Sequence, residues 1–219
     1  MTNLSQEQVQ NEQKIIVSSD RSSKDGATQL RFDLLSQLFV HNSPGKYFQK
    51  PDGKHPFVNE VVTEEDILDH LSGKKVLGIP LQFTETGGSF VKNIIIDLDL
   101  RSEIHNVAGF SFGEYKSLLE KQMAVLSAAC QLFAIPHYIE SSGYKGYHLH
   151  IFLNDYMPIE KARRLAFSLF GSDIIDNNDK NKMAWEIFLK SEKAGSKSQF
   201  KLPYALLRTV GKKGIHRVS

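Results

Sequence analysis

The chain has one cysteine, one tryptophan and no internal repeats in its 219 residues, and no apolar run nears the roughly 20 residues of a membrane-spanning helix. A lone cysteine, Cys130, excludes an internal disulfide and any zinc ribbon. It lies inside a helical pattern, where a buried, inert thiol is expected. The first residues, "MTNLSQEQVQNEQK", show neither the basic start nor the apolar core of a signal peptide. Together these absences point to a cytoplasmic protein without a membrane partner. Charge of one sign is also scarce, with a net of +2. That balance hides an asymmetry. From Lys190 to Ser219 eight Lys and Arg face one acid, Glu192, so this segment carries +7 and the remainder −5. Such a segment is either a solvated tail or a phosphate-binding surface. The interleaved "FKLPYALL" favours a folded one.

What is present is ordinary for a soluble globular protein, 41% apolar and 24% charged residues. The length suits one large domain, or one core with an added lobe. Residues 1–27, rich in Gln, Asn and Ser, are expected to be a disordered tail, and residues 28–219 a single domain. "QLRFDLLSQLFV" puts Leu30, Leu34, Leu35 and Leu38 at helical spacing. The stretch "HNSPGKYFQKPDGKHPFVN" is turn-rich. "TEEDILDHLSG" reads as a short helix capped by Thr63, with Gly73 beyond its end. "KVLGIPLQF" and "FVKNIIIDLDL" read as two strands joined by a hairpin through "TETGGS".

From there the rhythm is regular. "SFGE" is a capping box, Ser111 with Glu114, opening a long helix that ends before Pro136. "HYIE" and "YHLHIFL" are strands around the tight "SSGYKG", "MPIEKARRLAFSLFG" is a second helix, and "MAWEIFL" is a last strand. The order β-α-β-β-α-β is the ferredoxin-like or RRM-like motif. The fold class is therefore α+β, an RRM-like core at about 91–190 with an N-terminal α/β extension and a basic segment at 190–219. In this topology the first and third strands are central neighbours, the fourth lies beside the first, and both helices cover one face while the other stays open.

The strand "NIIIDLDL" then becomes informative. Successive strand residues alternate between faces, so Asp97 and Asp99 share one face with Ile95, opposite Ile94, Ile96, Leu98 and Leu100. Alternation puts His148, His150 and Phe152 on the corresponding face of the third strand, and Glu186 and Lys190 on that of the fourth. Carboxylates are expensive to bury without a partner. Two of them at i and i+2, with a third on the next strand, suit hard divalent cations, which prefer oxygen ligands. Two such ions can stabilise both the attacking and the leaving oxygen of a phosphoryl transfer. The "SSGYKGYH" turn offers backbone N–H groups, a hydroxyl and a lysine, the materials of an anion cradle.

In order, "IIIDLDL", "SSGYKGYH" and "WEIF" resemble motifs I, II and III of the archaeo-eukaryotic primase superfamily, the primase-polymerases. The middle segment resembles the Ser-Gly-x-Lys-Gly-x-His signature of the polymerase domains attached to bacterial end-joining ligases. "FKLPYALLRTVGKKG" is similar to a Lys-Leu-Pro segment with a basic turn in mobile-element and defence-associated members. The likeness spans roughly Lys75 to Gly214.

The resemblance implies a template-dependent nucleotidyltransferase, a DNA primase or DNA polymerase or both, acting on a DNA template or primer-template with dNTP or NTP substrates. It implies that Asp97 and Asp99 bind two Mg²⁺ or Mn²⁺ ions, with Glu186 completing the catalytic metal site where many relatives carry Asp. Ser142, Lys145 and His148 would hold the nucleotide triphosphate, helped by Arg208. His150 lies outside the motif and is expected to matter much less. The chain ends soon after Arg208, without the accessory domain many primases use to begin a strand, which weighs against de novo priming more than against polymerisation. A helicase or a separate accessory domain is a conceivable partner.

Two other readings use the same residues. "HLH" at 148–150 fits the His-hydrophobic-His motif of rolling-circle replication nucleases and relaxases, with Tyr204 the later candidate nucleophile, since the helix after that strand has no tyrosine. A non-catalytic nucleic-acid-binding module of this topology would have to present acids to phosphate, which repels unless metal intervenes.

Overall fold

The computed structural model describes residues 25–41, 44–49, 54–85, 88–100, 112–142, 146–171, 183–189, 199–204, 207–211 and 214–218. The N-terminal part contributes α1 (Gly26–Leu38), β1 (Lys46–Gln49), β2 (Phe57–Val58), α2 (Glu64–Leu71) and β3 (Val76–Pro80). The middle contributes β4 (Gln82–Glu85), β5 (Gly88–Leu100), α3 (Phe112–Leu132), β6 (Tyr138–Ser141), β7 (Gly146–Pro158), α4 (Ile159–Phe170) and β8 (Met183–Ile187). Last come β9 (Gln199–Lys201), β10 (Leu207–Gly211) and β11 (Gly214–Val218). No helix among the described residues is long and apolar enough to cross a membrane.

The larger sheet is antiparallel and centred on β5, which pairs with β7 along one side and with β4 and then β8 along the other; β6 flanks β7. The order β8-β5-β7-β6 is the one expected of the β-α-β-β-α-β motif. One face is a conventional helix-on-sheet core: Ile94, Ile96, Leu98 and Leu100 are at most 1% exposed and pack with Leu119, Met123 and Leu126 of α3. From α4 come Ile159, Ala162, Ala166 and Phe170, spaced by three or four residues so that one stripe faces the sheet. Each such large side chain contributes about 1.5–3 kcal/mol by leaving water. Cys130 is fully buried in this core, and burial pushes its thiol up to about 11. Its burial is as the sequence suggests.

The other face is not open. Ile95 of β5, wholly buried, packs in a second core with Phe32, Leu35, Phe39, Leu77 and Phe200. That core belongs to a second antiparallel sheet, β2-β1-β3-β9, and to helices α1 and α2. Four details of the sequence reading change with it. The helix α1 starts at Gly26, capped by Asp25, inside the expected tail; residues 1–24 lie outside the described residues. Its buried positions are Phe32 and Leu35, while Leu30 is 60% and Leu34 37% exposed. The turn-rich stretch contains the strands β1 and β2. The apolar run "KVLGIPLQF" breaks at buried Leu81, giving β3 to one sheet and β4 to the other. The earlier start of α1 follows from a local cap, Asp25 accepting from Thr28 N, whereas the other three changes follow from non-local packing, which propensity does not report.

Helix α2 is held as the sequence suggests: Thr63 Oγ1 accepts from Asp66 N at 3.2 Å, and Asp66 Oδ2 accepts from Thr63 N at 3.0 Å. The same carboxylate meets the buried Lys46 ammonium at 2.7 Å, joining α2 to β1. Ser111, the expected cap of α3, lies outside the described residues.

Candidate active site

Register decides which side chains meet. In β5 Asp97 pairs with His148 of β7 on one side and with Glu186 of β8 on the other, and His148 pairs with Glu140 of β6. Glu186, Asp97, His148 and Glu140 thus form one rung across four strands, all on the face away from α3 and α4. One rung towards the interior, Ile95 pairs with His150 and its carbonyl accepts from Phe188 N, which is where the second core seals the face. One rung the other way, Asp99 pairs with Gly146 and with Ala184, neither of which has a side chain beyond a methyl.

The close approach of Asp99 to β7 requires glycine. A Cβ at position 146 would collide with Asp99 Oδ1 and the Leu98 carbonyl, and would lie 3.0 Å from Asp99 Cα. The turn before Gly146 is closed by Ser142, whose N–H donates to the Gly146 carbonyl at 3.0 Å and whose hydroxyl accepts from Gly146 N at 3.1 Å. Lys145 lies outside the described residues, as does Lys190. Arg208 lies in β10, opposite Arg217 of β11.

Glu140 was not singled out in the sequence, yet it organises both histidines. Its Oε2 accepts from His148 Nδ1 at 3.1 Å and from His150 Nε2 at 2.9 Å. The other ring nitrogen of His148, Nε2, faces Asp97 Oδ1 at 3.5 Å. Burial pushes the Glu140 carboxyl up, but the hydrogen bonds and charge of the two histidines outweigh it and hold it at about 2. The rings are wedged among aromatics: Phe200 stands edge-on to His148 at 5.3 Å and to His150 at 5.6 Å, and Phe152 stacks on His150 at 5.9 Å. His150 is 2% exposed.

Lys201, the lysine of "FKLP", is the second residue that sequence reading left without a role. Burial pushes its pKa below the ordinary lysine value, against the upward pull of Glu140, Asp99 and Asp97. Lys201 thus lies near enough to all three acids to feel their charge. Its segment is fixed from the N-terminal part: Gly78 pairs with Lys201, Leu202 N donates to the Leu77 carbonyl, and the Pro203 carbonyl accepts from His70 Nε2 at 2.7 Å. The signal for both residues was present. A hairpin closing on Ser142 and Gly146 puts Glu140 opposite His148, and "FKLP" carried the resemblance without a role for its lysine.

Chemically, the rung and its neighbour bring three oxygen ligands, Asp97, Asp99 and Glu186, to adjacent strand positions. This donor set fits hard divalent cations. Glu140, His148 and His150 form a second, nitrogen-rich group whose ligand atoms lie within 4.8 Å of one another.

The sequence pattern of one protein family, described as the TOTE conflict system archaeo-eukaryotic primase domain, matches residues 48–191. Among solved structures, the polymerase domain of Mycobacterium tuberculosis Ligase D in complex with DNA is similar at 13% identity and a TM-score of 0.42. That likeness covers 65% of this chain and spans 61% of the other. No curated protein matches. The family match takes in β5, β7 and β8, and with them Asp97, Asp99, His148 and Glu186, over more than half of the chain. By that match the chain belongs to the archaeo-eukaryotic primase domains of TOTE conflict systems.

Proposed function

We propose that this domain is a template-dependent nucleotidyltransferase that extends a strand on a DNA template, using dNTPs or NTPs. The observation that carries the reading is the convergence of Asp97, Asp99 and Glu186 on neighbouring positions of three paired strands, with the lysine of "FKLP" in their field. Asp97, Asp99 and Glu186 are the residues that would hold Mg²⁺ or Mn²⁺, which supply charge for the entering and leaving oxygens of phosphoryl transfer. Asp99 is aimed by its seat over Gly146, and Asp97 is flanked by His148. The Ser142–Gly146 turn, with Lys145, His148 and Arg208, holds the triphosphate. His148 and the turn's N–H groups act as donors and Lys145 as a point charge. Lys201, when protonated, adds a third positive charge to those of Lys145 and Arg208, which favours a polyanion over a neutral substrate.

The test is primer extension with dNTPs and with NTPs, alongside a primer-free control. Asp97→Ala or Asp99→Ala is expected to abolish addition while leaving the fold intact, since each removes a ligand and no core packing. Extension by either variant at near wild-type rate overturns the assignment.

The nuclease reading rests on one observation, the Glu140–His148–His150 group, which has the donor types of a single-metal site. It requires Tyr204, which is 49% exposed and holds a positive φ of 65° beneath the Arg31 guanidinium. Incubation with single-stranded DNA separates the two readings. A denaturation-resistant adduct that disappears in Tyr204→Phe supports the nuclease; extension activity unchanged in Tyr204→Phe, with no adduct, supports the nucleotidyltransferase.

A further inference from the structure

We propose that Glu140 is a positioning residue: tethered by His150, its carboxylate holds the His148 ring so that Nε2 is the nitrogen turned to Asp97 and to the incoming nucleotide. The inference rests on the nucleotidyltransferase reading above and deepens it, since Glu140 lies outside the motif residues that define that reading.

A histidine on a strand can present either nitrogen to a ligand, because a half-turn of the ring exchanges nitrogens for carbons at nearly the same positions. A hydrogen bond to one nitrogen removes that freedom, and carboxylates commonly orient functional imidazoles in this way. Here the bond from His148 Nδ1 to Glu140 Oε2 at 3.1 Å sets the orientation. With that bond made, Nε2 lies 3.5 Å from Asp97 Oδ1, at the nucleotide side of the rung. A flipped ring would put a C–H against the carboxylate and lose the bond.

Glu140 itself would not stay there unaided. It sits on β6, which among the described residues pairs within the large sheet only with β7, and its chain neighbours Tyr138 and Ile139 are 64% and 47% exposed. A long carboxylate on such a strand gains hydration and rotamer freedom by turning outward. What holds it inward is the second donor, His150 Nε2 at 2.9 Å, together with the charge of Lys201. His150 is enclosed by Phe39, Phe152 and Phe200 and cannot reach a substrate. Its place two residues from His148 is explained by Glu140, which lies close enough for one carboxylate oxygen to accept from both. His150, by this reading, matters more than its position outside the motif suggests.

The experiment compares Glu140→Ala, Glu140→Gln, His150→Ala, His150→Gln and the double variant Glu140→Ala/His148→Ala with wild type in primer extension, with thermal unfolding of each. Glu140→Ala is expected to raise KM for the nucleotide roughly 10- to 100-fold, the range for loss of an orienting partner, with a smaller change in kcat. Glu140→Gln retains an acceptor oxygen and should recover most of the loss; His150→Gln retains a donor and should outperform His150→Ala. Glu140→Ala should add little on top of His148→Ala, because it acts through that ring.

An independent readout uses ¹⁵N-histidine labelling. The His148 Nδ1–H signal should be protected from solvent exchange in wild type and lost in Glu140→Ala. Unchanged nucleotide KM in a folded Glu140→Ala, full additivity with His148→Ala, or an unaltered Nδ1–H signal each overturns the proposal. So does a stoichiometric metal ion that survives Asp97→Ala but leaves with Glu140→Ala, since Glu140 would then be a ligand. A wild-type protein that adds no nucleotides sinks the nucleotidyltransferase reading instead, and the histidine signal still reports on the Glu140 tether.

Discussion

At position 146 the chain has room for a hydrogen and nothing larger. Asp99 occupies the volume where a Cβ would stand, so Gly146→Ala must push the carboxylate or part the two central strands. We expect that substitution to cost stability in the 1–3 kcal/mol range of overpacked sites and to remove most nucleotide addition. Denaturant unfolding and primer extension check the two effects, and near wild-type activity would refute the close approach. The aspartates themselves were legible, because alternation in "IIIDLDL" assigns their face without further information. Glu140 was not. A glutamate ending a four-residue strand looks like a solvated edge residue until the hairpin register is counted across. Lys201 was half legible: "FKLP" carried the resemblance, but its strand β9 pairs with β3 in a sheet to which the acids do not belong, and periodicity does not report that.

Elements show the same division. The β-α-β-β-α-β order, the strand faces and both helices of the large sheet followed from periodicity, because amphipathic segments of this length carry the signal locally. The covering of the second face did not, since β1, β2 and β9 are two to four residues each. The Lys201 segment depends on α2 through His70, which is fully buried; Leu77 N donates to its Nδ1, so Nε2 carries the hydrogen given to Pro203. Burial pushes His70 below its ordinary pKa, with Lys201 also lowering it and the Pro203 bond and Glu140 opposing. His41, between Phe83 and Tyr156, is pushed to about 4 by burial and by Lys92. Both groups bind fewer protons folded than unfolded once pH falls below about 6.5. The two histidines should therefore leave stability flat from that pH to about 8 and lower it on acidification, by roughly 3 kcal/mol at most from His41 alone as pH reaches 4. Melting temperatures at pH 8, 6 and 5 test this, and His41→Phe should flatten the decline. A melting temperature that rises on acidification would contradict it.

For the molecule as a whole, β5 is shared property: its even-numbered residues from 94 to 100 serve the helix-side core and Ile95 serves the other. Phe200 is the matching piece from the smaller sheet, 2% exposed and in ring contact with Phe39, His148 and His150. Phe200→Ala should cost about 3–5 kcal/mol, while Phe200→Leu, closer in volume, should keep the fold at a loss of activity through the loosened histidine rings. Equal activity in the leucine variant would show that the rings are held by other contacts.

The fully buried Cys130 has a practical corollary of its own. With its thiol held near 11, it gives almost no thiolate at neutral pH and so little background in maleimide chemistry. A cysteine introduced at an exposed position such as Leu132, 79% exposed at the end of α3, would then carry a fluorophore alone. Strand-extension kinetics could be followed by fluorescence on an otherwise native chain.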